Sequence, residues 1–183
     1  RTLLDRHPRL WLYIDDAHGF GWRGRHGQGH VRQRFGHHDR LLLAVSLNKS
    51  FAAAGGAIAF PDRALADRVR ACGGTYIFSG PIQPPLLGAA LASARLHLSS
   101  ALPPLQKALS DRIQHTNQRL SDHGLPQLSP ADSPIFFIPT GPPEVGFRLQ
   151  KALSDAGHLV NLAGFPAVPM GQGGLRFTIH RLL

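Results

Sequence analysis

The sequence predicts an α/β domain, built on a mainly parallel sheet with helices, followed by a small α+β domain. Three observations carry that prediction. Residues 10 to 14 (LWLYI) and 41 to 45 (LLLAV) are short, uniformly apolar runs of the kind that form strands buried in a sheet. The segments that follow them carry helix starts, helical spacing and glycine stops. From Pro130 the pattern becomes short strands around one helix. The change of character places the domains at 1–125 and 126–183.

Taken in order, the first strand opens into Gly19 to His38, a stretch rich in Gly, Arg and His with no apolar period. It reads as a surface loop with room for a short turn of helix. The second strand leads into Ser46-Leu47-Asn48-Lys49-Ser50-Phe51, and Ala52 to Phe60 supplies a Gly55-Gly56 pair and a third apolar run. Pro61-Asp62 starts a helix over about 62 to 71 that Gly73-Gly74 ends. Thr75 to Pro85 is a proline-punctuated connection, and helices follow over about 86 to 99 and 103 to 122. Leu105, Leu109, Ile113 and Leu120 recur near helical spacing, with Gly124 as the stop. The second domain reads as a strand (135 to 138), a helix to Ala156, a strand near 159 to 162 and a last strand at 175 to 180.

Bulk properties narrow the classes. The 183 residues are 43% hydrophobic, enough for a globular core. No run approaches the eighteen or so apolar residues of a membrane span, and the basic start lacks a signal peptide's apolar centre, so a soluble, cytoplasmic protein is expected. The single cysteine, Cys72, reads as a small buried residue and excludes a cysteine-rich metal module. A net charge of +9 attracts polyanions, whether nucleic acid, a phosphate-bearing cofactor or a coenzyme A thioester. The arginines are scattered and no nucleic-acid motif accompanies them, so a basic binding module is the lesser reading.

The chemistry concentrates at the strand ends. Asp15 and His18 leave the first strand, and Lys49 leaves the second, where open α/β sheets place ligands. A lysine and a carboxylate at neighbouring strand ends suit pyridoxal phosphate: the amine condenses with the aldehyde, and the carboxylate keeps the ring nitrogen protonated. Lys49 sits between a hydrophobic strand and small residues, which predicts a desolvated amine. Strand alternation sends Asp16 to the opposite side, as a structural hydrogen-bond partner. Gly19-Phe20-Gly21-Trp22-Arg23-Gly24 matches a dinucleotide fingerprint, but Arg25 to Gly29 cannot start the helix that fingerprint needs. His26, His30, His37 and His38 match no zinc spacing, and no metal site is expected. Arg176, beside Gly173-Gly174 in an apolar strand, suits either a substrate carboxylate or an exposed edge.

Four segments in order, YIDDAHGFG, SLNKSFAAAGG, YIFSGPIQPP and FPAVPMGQGGLRFTI, resemble the α-oxoamine synthase family of fold-type I pyridoxal-phosphate enzymes, over about Leu10 to Ile179. The resemblance implies Lys49 as the Schiff-base lysine, Asp15 as the pyridinium partner and His18 as the contact to the cofactor's phenolic oxygen. It implies that Ser46 binds the cofactor phosphate, that Ser79 and Gly80 reach the phosphate of a neighbouring subunit in a homodimer, and that Arg176 takes the amino-acid carboxylate. The implied reaction condenses an amino acid with an acyl-CoA, usually with loss of carbon dioxide; a class I/II aminotransferase is the nearest alternative. Asn48, Ser50 and Ala52 to Ala54 depart from the residues usual around the family's lysine. The long N-terminal portion of the family, with its glycine-rich phosphate loop and ring-stacking residue, has no counterpart here. The chain therefore resembles a C-terminal half, for which weak cofactor binding and little turnover alone are expected.

Overall fold

A computed structural model describes residues 2–128 and 132–182. A short helix, α1 (Thr2–Arg6), precedes β1 (Leu12–Asp15). The Arg40 guanidinium donates to the carbonyls of Leu4, His7 and Leu10 at 2.5, 2.7 and 3.1 Å, which satisfies the open end of α1 and ties it to the entry of β2 (Leu41–Ser46). Between β1 and β2 lie a 3₁₀ turn (Arg25–Gly27) and α2 (Gly29–Phe35). β1 pairs with β2 in parallel, and β3 (Gly56–Ala59) pairs with β2 antiparallel, giving a mixed sheet of order β1-β2-β3. Its core is Val31, Leu41 and Leu43, flanked by Leu12, Ile14, Phe35, Val45 and Ala59.

Next come α3 (Arg63–Cys72), α4 (Gly74–Ile77), α5 (Pro84–His97) and α6 (Leu102–Asp122). Asp62 caps α3 by accepting from Leu65 N at 2.8 Å, and Pro84-Pro85 start α5. β4 (Ile135–Gly141), α7 (Pro143–Asp155), β5 (Asn161–Ala163) and β6 (Gly173–Thr178) complete the order. These strands form an antiparallel sheet of order β4-β6-β5. Phe136, fully buried, stacks on Phe177 with ring centroids 5.2 Å apart. α7 lies on this sheet at Gly146, where a Cβ would come within 2.5 Å of Leu162. The compact units are Arg1–Gln106 and Lys107–Leu183. Pro130, where the sequence changes character, lies outside the described residues.

Several expectations change. The first run is not buried on both faces: along β1 exposed and half-buried residues alternate, with Tyr13 exposed, and Trp11 just before the strand is exposed as well. The loop from Gly19 to His38 contains the helix α2, which Asp16 organises from outside the segment. Cys72 is exposed, because α3 buries none of its residues. The helical spacing in α6 is borne out by the burial of Ile113 and Leu120.

Candidate active site

The parallel register pairs Asp15 with Ala44, so β1 and β2 deliver their carboxyl ends to one edge of the sheet. Asp16 N continues the ladder to Ala44 O at 2.9 Å, and alternation then turns neighbouring carboxylates to opposite sides. Asp16 is buried, and its Oδ2 accepts from Val31 N at 2.8 Å, closing the first turn of α2. Only glycine fits beside it. A Cβ on Gly19 would stand 2.2 Å from Asp16 Oδ1, and one on Gly29, at φ +92°, 2.3 Å from Oδ2. Asp16 is thus the structural partner its position predicted.

Asp15 remains on the exposed side, with Oδ1 accepting from Ala17 N at 2.8 Å in a local turn. That turn leads to His18, whose carbonyl accepts from Trp22 Nε1 at 2.6 Å. The lysine loop is closed by its own main chain. Leu47 N donates to Gly55 O at 2.9 Å, Ala53 N to Leu47 O at 2.7 Å, and Ala52 N to Lys49 O at 2.9 Å. Ser46, the last residue of β2, donates its hydroxyl to Asn48 Oδ1. The two loops meet where Lys49 Nζ lies 3.0 Å from His18 Nε2. Both side chains are exposed, so the desolvated lysine expected from its apolar flanks is not what the fold produces. The flanking hydrophobes turn inward, Phe51 most completely, and leave the amine in solvent.

The other expected site residues are placed as follows. Ser79 and Gly80 are exposed just beyond α4, with the Ser79 hydroxyl donating to Thr75 O. Arg176 lies in β6, the central strand of its sheet, paired with Phe137 and Asn161. An edge-strand arginine is therefore excluded. Arg176 instead lines a cleft of about 500 Å³ with Leu128, Ile135, Phe137 and Gln172. Among the described residues, no three His, Cys, Asp or Glu groups could hold a metal ion together.

One residue of this region escaped the sequence reading. His97, in the last turn of α5, is buried and reaches the backbone of the loop after β1. Neither spacing nor motif marks it, because α5 also carries Ser93 and Arg95 among its apolar residues.

The chain covers part of longer known proteins. The family model for aminotransferases of class I and II matches residues 1–181. The 8-amino-7-oxononanoate synthase of Dechloromonas aromatica is 35% identical over 184 residues, covering 97% of this chain and 45% of its own length. The erythroid-specific mitochondrial 5-aminolevulinate synthase of Delphinapterus leucas is 32% identical over 168 residues, 91% of this chain and 28% of its own. The solved structure of serine palmitoyltransferase from S. paucimobilis, with a bound PLP-myriocin aldimine, superposes with a TM-score of 0.85. It is 23% identical and covers 98% of this chain and 44% of that one, so it bears on the fold alone. The chain spans less than half the length of each.

Proposed function

The chain belongs to the class I and II aminotransferase family, and from that membership we propose that it supplies the lysine-bearing part of a pyridoxal-phosphate enzyme that condenses an amino acid with an acyl-CoA. One observation carries the reading: the 3.0 Å approach of Lys49 Nζ to His18 Nε2 at the edge where Asp15 and Ser46 also emerge. An amine, an imidazole, a carboxylate and a hydroxyl on one edge are the donor set this cofactor takes. Among the sequence relatives, both the oxononanoate synthase and the aminolevulinate synthase bear names that fit this reaction class.

When bound, pyridoxal phosphate supplies an aldehyde carbon for an amine and a ring that draws electrons from the carbon beside it. Lys49 would hold it covalently through Nζ. Asp15 would keep a proton on the ring nitrogen, and its turn with Ala17 fixes the carboxylate for that task. Ser46 would give a hydroxyl to the phosphate in place of Asn48. With its amine free, Lys49 would take the substrate's α-proton onto Nζ, which lies beside His18 Nε2. Arg176 would receive the substrate carboxylate through two parallel hydrogen bonds.

We further read Ser79 and Gly80 as reaching a second subunit's site in a homodimer. The exposed Tyr76, Ile77 and Phe78 beside them, Phe78 at 95% exposure, support an interface there. No helix among the described residues is long and apolar enough to cross a membrane; a cytoplasmic location is a separate part of the proposal.

The test is borohydride reduction of the full-length protein with added cofactor, followed by peptide mapping. A phosphopyridoxyl group on the Lys49 peptide is the expected result, and its absence overturns the reading. The family model's own name favours aminotransfer as the second reading. Release of free CoA from amino acid and acyl-CoA supports condensation; a keto acid formed without CoA release supports aminotransfer.

A further inference from the structure

The Lys49–His18 approach joins two exposed side chains from separate loops, so something beneath them must set the separation. The loops touch through their backbones. A Cβ on Gly21, at φ +94°, would stand 2.6 Å from Phe51 N and 2.8 Å from Ser50 C. Gly21 is three residues beyond His18, and Phe51 is two beyond Lys49. A shift at this contact therefore reaches both reacting side chains.

His97 grips both sides of that contact. Its Nε2 lies 2.8 Å from Gly21 O, and its ring packs on Phe51 with centroids 4.8 Å apart. Its Nδ1 lies 2.8 Å from Ser93 O, and the Ser93 hydroxyl donates to Phe51 O. The ring of Phe51 in turn meets Phe20, 5.1 Å away in the first loop. His26 Nδ1, 3.0 Å from His97 O, adds a further tie between that loop and α5. Gly27 leaves room for the ring: a Cβ there would come within 2.7 Å of His97 Cδ2. A buried imidazole with Nε2 on Gly21 O and its ring face against Phe51 spans the two loops from one helix.

We propose that His97 is a positioning residue that sets the distance between Lys49 and His18 by holding the two loops on α5. The proposal rests on the lysine-centred reading above for its role in the reaction, and on geometry alone for its effect on the pair. It acts through Gly21 and Phe51, not on the substrate.

Two variants separate positioning from packing. His97→Phe keeps the ring against Phe51 and removes the polar contacts; His97→Gln restores an amide donor toward Gly21. The first readout needs no cofactor: the ¹⁵N shift of the His18 ring, with and without Lys49→Ala. Lys49→Ala is expected to move that shift in the parent chain, to leave it unmoved in the His97→Phe background, and to move it again with His97→Gln. An equal response in all three backgrounds overturns the proposal. The second readout is the rate at which borohydride captures cofactor on Lys49. It is expected to fall about tenfold in His97→Phe, equivalent to ~1.4 kcal/mol, and to recover at least partly in His97→Gln. Equal rates in parent and His97→Phe overturn it too. A parent that captures no cofactor overturns the cofactor reading and leaves the shift measurement to decide His97. Should His97→Phe fail to fold, Ser93→Ala decides: loss of its bond to Phe51 O should slow capture severalfold, and an unchanged rate overturns the proposal.

Discussion

The loop bearing Lys49 and the segment bearing Ser79 and Gly80 belong to the same compact unit but are held in opposite ways. Three main-chain hydrogen bonds close the lysine loop, Phe51 anchors it inside, and His97 braces it against the loop after β1. From Gly74 to Gly88 every residue is exposed, and Ser79 turns its hydroxyl back to Thr75. The contrast teaches which part of the proposed site is determined by contacts within this unit. The positions of Asp15, His18 and Lys49 follow from them; those of Ser79 and Gly80 do not.

The largest effect expected is at Lys49 itself. Lys49→Ala should abolish cofactor capture by borohydride while leaving the melting temperature close to the parent's, because the side chain is exposed. Mass mapping and a thermal melt check both parts. A second lysine capturing the cofactor at the parental rate would remove Lys49 from the centre of the reading.

Asp16 comes next, since it supports the loop without touching the chemistry. Asp16→Ala leaves the buried Val31 N without its partner, which should cost about 1–3 kcal/mol in a urea titration. Gly29→Ala should fall in the same range, by forcing a Cβ onto Asp16 Oδ2 at a left-handed φ. Asp15→Asn reverses the pattern. The amide oxygen can still accept from Ala17 N, so stability should stay within about 0.5 kcal/mol. Cofactor affinity should weaken about tenfold, because the neutral amide no longer favours a protonated ring nitrogen. Equal losses of stability and affinity would place Asp15 in the scaffold instead.

The lysine loop and its neighbours also show what a sequence can reveal. Asp15, His18 and Lys49 were legible because local patterns expressed them: an apolar run ends, and a polar group follows at the mouth. Asp16 was legible from alternation alone. The helix α2 was not, because its start at Gly29 and His30 depends on a carboxylate from another element to close the first turn. The exposure of Lys49 and Cys72 was equally hidden, since flanking hydrophobicity does not report which way a loop or a whole helix faces. His97 was invisible for the strongest reason. Its partners, Gly21 and Phe51, lie 76 and 46 residues away in the chain, and only the fold brings them together.

The smallest effect expected is at Ser79, and it separates the two modes of support most cleanly. Ser79→Ala removes one exposed hydroxyl, so the stability of the chain should change by less than about 0.5 kcal/mol. Cofactor affinity in the full-length protein should fall about twofold to fivefold, the worth of one hydrogen bond. If the hydroxyl serves the neighbouring subunit, a mixed dimer of Ser79→Ala and Lys49→Ala chains behaves in a telling way. Its one lysine-bearing site draws Ser79 from the Lys49→Ala chain and is whole. Titration of cofactor into such mixed dimers should therefore return the parent's affinity on Lys49, while Ser79→Ala homodimers keep the deficit. An unrestored affinity in the mixed dimer would mean that Ser79 acts within its own chain, and the reading of a shared site would fall.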